Sequence, residues 1–149
     1  MTLLPFRCHP LLKSRVWGGE RLLEWNKPLP SGATNQWGES WEFADLPKDI
    51  PDGRSIIRDG PLAGQNFQDA MVQHAPALMG DLPRSPHGGF PLLVKLLDAQ
   101  RNLSVQVHPT AEYAEAHPGA YKKDEAWLIL DAQPDSLLYT GLADGVTPA

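Results

Sequence analysis

Gln106 and His108 stand two apart in the run Leu103-Ser104-Val105-Gln106-Val107-His108-Pro109. On a β-strand such residues leave the same face, with Cα atoms about 6.5–7 Å apart. A Gln oxygen and an imidazole nitrogen at that spacing can converge on one cation. Glu125, at the mouth of a second predicted strand over residues 126–130, would add a carboxylate from a neighbouring strand. Mixed nitrogen and oxygen donors without a thiolate suit Zn²⁺, and also Mn²⁺, Fe²⁺ or Co²⁺. Three protein donors leave a coordination position open, as catalysis at a metal needs. The plain alternative is a solvated polar strand face, because Gln-x-His arises by chance in many chains.

Lys95 is the second residue of chemical interest. It interrupts the apolar run Leu92-Leu93-Val94-Lys95-Leu96-Leu97, and an unpaired ammonium in such a run is costly to bury. Either Lys95 emerges at a sheet edge or it faces a polar cavity with an anionic partner.

The elements that must position these groups are set by pattern and punctuation. Leu92–Leu97 and Leu103–His108 read as an antiparallel hairpin across a five-residue connection, 98–102. Leu103, Val105 and Val107 form its apolar face. Thr110 caps a short helix over 111–117, which Pro118-Gly119 ends. Upstream, Gly38–Phe43 reads as a strand with Glu39, Trp41 and Phe43 on one face and Ser40 and Glu42 on the other. A carboxylate on each face suggests an edge or a cavity border, and a solvated Glu is the simpler reading. Asn66 caps a helix over 66–74, with Phe67, Ala70, Met71 and His74 on one face; His74 reads as a core or boundary histidine. Pro76 and Gly80 break the segment beyond it. Residues 20–25 make a helical turn or two, and 55–58 a short strand closed by Asp59-Gly60. Residues 1–13 read as a packed edge segment, Gly18-Gly19 as a tight turn, 26–36 as loop, and His87 as a solvated loop residue.

Fifteen prolines and thirteen glycines in 149 residues shorten the elements and favour a β-rich domain with few, short helices. The net charge of −5 argues against a general nucleic-acid surface. No apolar run reaches membrane-spanning length and no signal-peptide pattern is present, so no membrane partner is expected. The single cysteine, Cys8, cannot form an internal disulfide. It reads as inert packing, with a cytoplasmic setting as the default.

Taken together, Trp17-Gly18-Gly19, Gly38-Glu39-Ser40-Trp41-Glu42, the Leu92–Leu97 run with its lysine, the Gln106-x-His108-Pro109 strand and Lys123-Asp124-Glu125-Ala126-Trp127 resemble type I phosphomannose isomerase, in its short bacterial branch. The likeness covers nearly the whole chain. It implies a mainly β, cupin-type β-sandwich (jelly roll) with short inserted helices. Gln106, His108 and Glu125 would be ligands of one Zn²⁺, with Gln106 the weakest donor. The resemblance also implies that Lys123 is catalytic and Lys95 substrate-binding, a sugar phosphate or a carboxylate supplying the counter-charge that Lys95 otherwise lacks. The reaction implied is the interconversion of mannose 6-phosphate and fructose 6-phosphate through a cis-enediol, with a hexose phosphate as the small-molecule partner. In one respect the chain departs from the family: a further histidine ligand and a catalytic arginine are expected downstream, yet no His or Arg comes after Glu125. Residues 1–149 are therefore expected to be the N-terminal portion of a longer catalytic domain, inactive alone. A non-catalytic cupin-like module that binds a sugar or sugar phosphate is the alternative.

Overall fold

The computed structural model describes residues 5–25 and 36–146. The chain divides into two compact units, Met1–Ser104 and Val105–Ala149.

In the first unit, β1 (Leu11–Gly19), β2 (Trp37–Phe43) and β3 (Val94–Leu97) form an antiparallel sheet in the order β1-β2-β3. Register pairs Lys13 with Glu39 and Leu11 with Trp41 across β1/β2, and Trp41 with Lys95 across β2/β3. β1 is irregular after Lys13. This element starts near the end of the edge segment expected over residues 1–13 and runs on to absorb the Gly18-Gly19 pair. That pair makes no left-handed turn. A Cβ on Gly18 would run into the backbone of Gly38, so a side chain there would force β1 and β2 apart.

α1 (Arg21–Glu24) comes after β1 as expected, its start fixed by the Arg21 N–H donating to Asp98 Oδ2 at 2.7 Å. The loop expected at 26–36 lies outside the described residues except for Gln36. Residues 55–58 form isolated bridges instead of a strand, Ile56 with Asn66 and Ile57 with Cys8.

α2 (Phe67–Met79) begins where expected. Asn66 Oδ1 accepts the Gln68 N–H at 2.9 Å, satisfying a donor that the first turn leaves orphaned. The helix outruns the expected end. His74 breaks it with φ −128°, and a second helical segment carrying Pro76 continues to Met79. Proline is tolerated near the start of a helical segment, where its missing N–H would go unused anyway. His74 is half-buried, as a boundary residue should be.

Phe67, Ala70, Met71 and Met79 of α2 join Ile57 and Leu62 in the core. Phe67 is the hub, within aromatic contact of Phe6, Phe43 and Phe90, the last two edge-on at centroid distances of 4.6 and 5.9 Å. Asp45 lies beside this core with 1% exposure. Its Oδ2 accepts the Phe90 N–H at 2.8 Å, and its carbonyl accepts from His87 Nε2 at 2.7 Å. His87 is thus tied to the chain, not freely solvated.

The second unit holds α3 (Ala111–Ala116), capped as expected by Thr110 Oγ1, which accepts the Tyr113 N–H at 3.2 Å. Neither strand expected here is formed: residues 103–108 and 126–130 carry no ladder. The predicted hairpin is therefore replaced by the pairing of β3 with β2. A strand persists through ladder hydrogen bonds and the burial of one face. Here Val105 and Val107 are 95% and 88% exposed, and Leu128 is 81% exposed. No described residue after Asp98 is buried. The alternating pattern is real, but among the described residues nothing pairs with it or covers it.

Candidate metal centre and substrate face

In the second unit, His108, Lys123 and Glu125 come together. His108 Nε2 lies 3.5 Å from Glu125 Oε2, and Lys123 Nζ lies 3.0 Å from Glu125 Oε1. α3 and the Pro118-Gly119 turn carry the chain back between His108 and Glu125, which is how residues seventeen apart meet. Alternation sorts the charges locally. Lys123 and Glu125 pair on one side, while Lys122 and Asp124 pair at 2.8 Å and stay exposed. Tyr113 and His117 stack at 3.9 Å with the rings nearly parallel, and His117 Nδ1 donates to the Tyr113 carbonyl at 2.8 Å. His117 is thereby committed to its own helix.

The donor set can be tested against a metal on geometry. Zinc–nitrogen and zinc–oxygen bonds of about 2.0–2.1 Å place two tetrahedral ligands roughly 3.4 Å apart. The His108–Glu125 separation of 3.5 Å matches one such edge. Gln106 lies exposed two residues before His108. Among the described residues no three His, Cys, Asp or Glu side chains are grouped to hold a metal. His108 and Glu125 are thus two donors brought together, short of a complete metal site. Lys123 competes for the same carboxylate, since its ammonium already neutralises Glu125.

Lys95 belongs to the first unit, on one face of the three-stranded sheet. Its Nζ stands 3.7 Å from Glu39 Oε1 and 6.0 Å from the Trp41 ring centroid. Glu39 Oε2 accepts the Trp41 indole N–H at 2.7 Å and lies 3.0 Å from an Arg15 guanidinium nitrogen. Lys13 Nζ lies 4.7 Å over the same ring and donates to the Asp52 carbonyl at 3.0 Å. One expectation changes here: Glu39 is not solvated but 7% exposed, on the central strand. Lys95 has the anionic partner expected of it, and Glu39 supplies that carboxylate from within the chain. Arg15, Lys13 and Glu39 escaped the sequence reading as a group. The available signal was the shared face of Glu39 and Trp41; the register that sets Lys13 and Lys95 beside them is tertiary.

Away from both sets, Cys8 is half-buried and burial pushes its thiol pKa up, against a weaker lowering by the Ser55 hydroxyl. Asp59 accepts the Arg7 backbone N–H at 2.7 Å and its guanidinium at 2.6 Å, which hold its carboxyl below the usual range.

Residues 5–132 match the family described as phosphomannose isomerase type I, catalytic domain, and the chain belongs to that family. Among named relatives it is 38% identical to the mannose-6-phosphate isomerase ManA of Bacillus subtilis (strain 168), over 95% of this chain and 42% of that protein. It is 34% identical to the mannose-6-phosphate isomerase of Streptococcus mutans, over 92% of this chain and 40% of that protein. The crystal structure of the mannose 6-phosphate isomerase from Bacillus subtilis superposes with a TM-score of 0.61 at 28% identity, covering 76% of this chain and 33% of that one. The chain spans about two fifths of the length of these curated relatives. The fold likeness bears out the cupin-type, mainly β expectation, here as a small open sheet with short helices. No helix among the described residues is long and apolar enough to cross a membrane.

Proposed function

We propose that this chain is the N-terminal, ligand-bearing portion of a mannose-6-phosphate isomerase catalytic domain, acting in the cytoplasm on a hexose phosphate. The convergence of His108 and Glu125 on a tetrahedral edge, in a chain of this family, carries the reading. His108 and Glu125, with Gln106 beside them, would hold one Zn²⁺. When bound, zinc supplies Lewis-acid polarisation of the sugar's carbonyl and hydroxyl oxygens.

The remaining chemistry falls to the chain's own groups. Moving the carbonyl from C1 to C2 requires ring opening, removal of the C2 proton and protonation at C1 through a cis-enediol. Lys123, 3.0 Å from Glu125, offers an ammonium to a reacting hydroxyl and can hold or return its proton. Lys95 donates to an anionic or hydroxyl oxygen of the sugar phosphate from a partly buried position, where a charge-assisted hydrogen bond counts for more than in water. With two strong donors present, metal affinity is weak and the 149-residue chain turns over no substrate by itself.

Zinc titration of the purified chain tests the site. Wild type should bind about one equivalent weakly, and His108→Ala should lose at least tenfold in affinity, as loss of one metal-site partner typically does. Equal zinc uptake by both proteins overturns the ligand assignment. Turnover of mannose 6-phosphate by the 149-residue chain overturns the proposed incompleteness.

A further inference from the structure

The two oxygens of Glu39 are used differently. Oε2 is locked by the Trp41 indole N–H at 2.7 Å and by Arg15 at 3.0 Å. Oε1 faces Lys95 Nζ at 3.7 Å, beyond hydrogen-bonding range yet well inside the range of charge attraction. Among the described residues the Lys95 ammonium makes no hydrogen bond, although its side chain is only 19% exposed. Its charge is therefore compensated while its three N–H donors stay available. On the same face, Lys13, Arg15 and Lys95 set three cations against one carboxylate, an excess suited to an anionic ligand.

We propose that Glu39 is a positioning residue for substrate. Held by Trp41 and Arg15, it fixes the Lys95 ammonium by charge alone and leaves its protons for an oxygen of an anionic sugar. This rests on the reading of Lys95 as substrate-binding. The order of dependence is Trp41 and Arg15 on Glu39, Glu39 on Lys95, and Lys95 on the ligand. The sign of the effect separates positioning from bulk electrostatics. Deleting a negative charge beside an anion site should by itself strengthen anion binding. A positioning residue gives the opposite result.

The test is a double-mutant cycle on the 149-residue chain, with mannose 6-phosphate titrated by two-dimensional NMR and mannose as the neutral control. Lys95→Met should weaken binding of the phosphate sugar about tenfold or more, the scale of one lost charge-assisted contact. Glu39→Gln keeps an oxygen for the Trp41 indole and removes only the charge. It should weaken binding roughly fivefold to tenfold in wild type, and should have no further effect in the Lys95→Met background. Trp41→Phe, which removes the indole N–H that holds Glu39 but keeps an aromatic ring opposite Lys95, should weaken binding in the same Lys95-dependent way and stands in if Glu39→Gln does not fold. If Glu39→Gln binds more tightly or unchanged, or loses as much in the Lys95→Met background, Glu39 is only a structural ion partner and the proposal is overturned. If Lys95→Met changes nothing, or wild type does not bind, the substrate-binding reading of Lys95 fails first, and this proposal with it.

Discussion

Replacing Phe67 with alanine removes the ring on which the first unit's core converges. Phe67 is 3% exposed and packs with Phe6, Phe43 and Phe90 at centroid distances of 6.0, 4.6 and 5.9 Å. Truncating a buried phenylalanine costs about 3–5 kcal/mol, from lost transfer energy and the cavity left behind. The aromatic pairs are worth about 0.5–1.5 kcal/mol each beyond their buried area, so three of them put this site at the upper end. Against a total stability of roughly 5–15 kcal/mol, the loss is a large fraction. Urea unfolding monitored by tryptophan fluorescence reads it, because Trp37 and Trp41 are buried in the same unit. The midpoint should fall while the slope stays unchanged. Val72→Ala is the control. It lies on the same helix but is 71% exposed, and its cost should stay within about 0.5 kcal/mol. A Phe67→Ala loss below about 1 kcal/mol would mean that the site collapses freely and that the aromatic cluster does not hold α2 to the sheet.

Two further predictions concern titration and one concerns exposed surface. Burial raises the Cys8 pKa, so alkylation at mildly alkaline pH should run slower in the folded chain than in urea; equal rates would contradict the packing. A raised pKa also means that this thiol's contribution to stability is complete below its unfolded pKa and is lost as pH climbs through the folded value. For Asp59 the sign reverses. Its pKa is lowered, chiefly by the Arg7 backbone N–H and then by the Arg7 side chain. Its contribution is therefore present above the unfolded carboxylate pKa and disappears as pH falls through the folded one. Asp59→Asn should be less stable than wild type at neutral pH, with the gap closing in acid; a pH-independent gap refutes the assignment. Leu128→Lys, at a site 81% exposed, should leave the unfolding midpoint of the first unit unmoved and reduce binding of a hydrophobic dye. A large loss of stability would show that this residue is buried in solution.

Much of the local structure was legible because its causes are local. Asn66 and Thr110 cap helices wherever the chain goes, since each side chain satisfies a backbone N–H two or three residues on. Phe67, Ala70 and Met71 share a helical face by spacing alone, and Gly38–Phe43 alternates as a strand must. His108 and Glu125 were readable as partners from residue type and from the motifs around them.

Tertiary structure decided the rest. Leu103–His108 has every local feature of a strand, but a ladder is made with a partner, and β3 pairs with β2 instead. The Gly18-Gly19 pair looks like a turn in sequence; Gly18 serves the close approach of β1 to Gly38, which only the packed sheet reveals. Lys95 shows the division most clearly. Its sequence says that an ammonium in an apolar run needs an anion. Only the register that sets β2 beside β3 says that the anion is Glu39, remote along the chain and 3.7 Å away in space. Residue type fixes which interactions a group must make, because desolvation is a property of the group itself. Which partner makes them depends on chain segments far apart in sequence, and that is settled by packing.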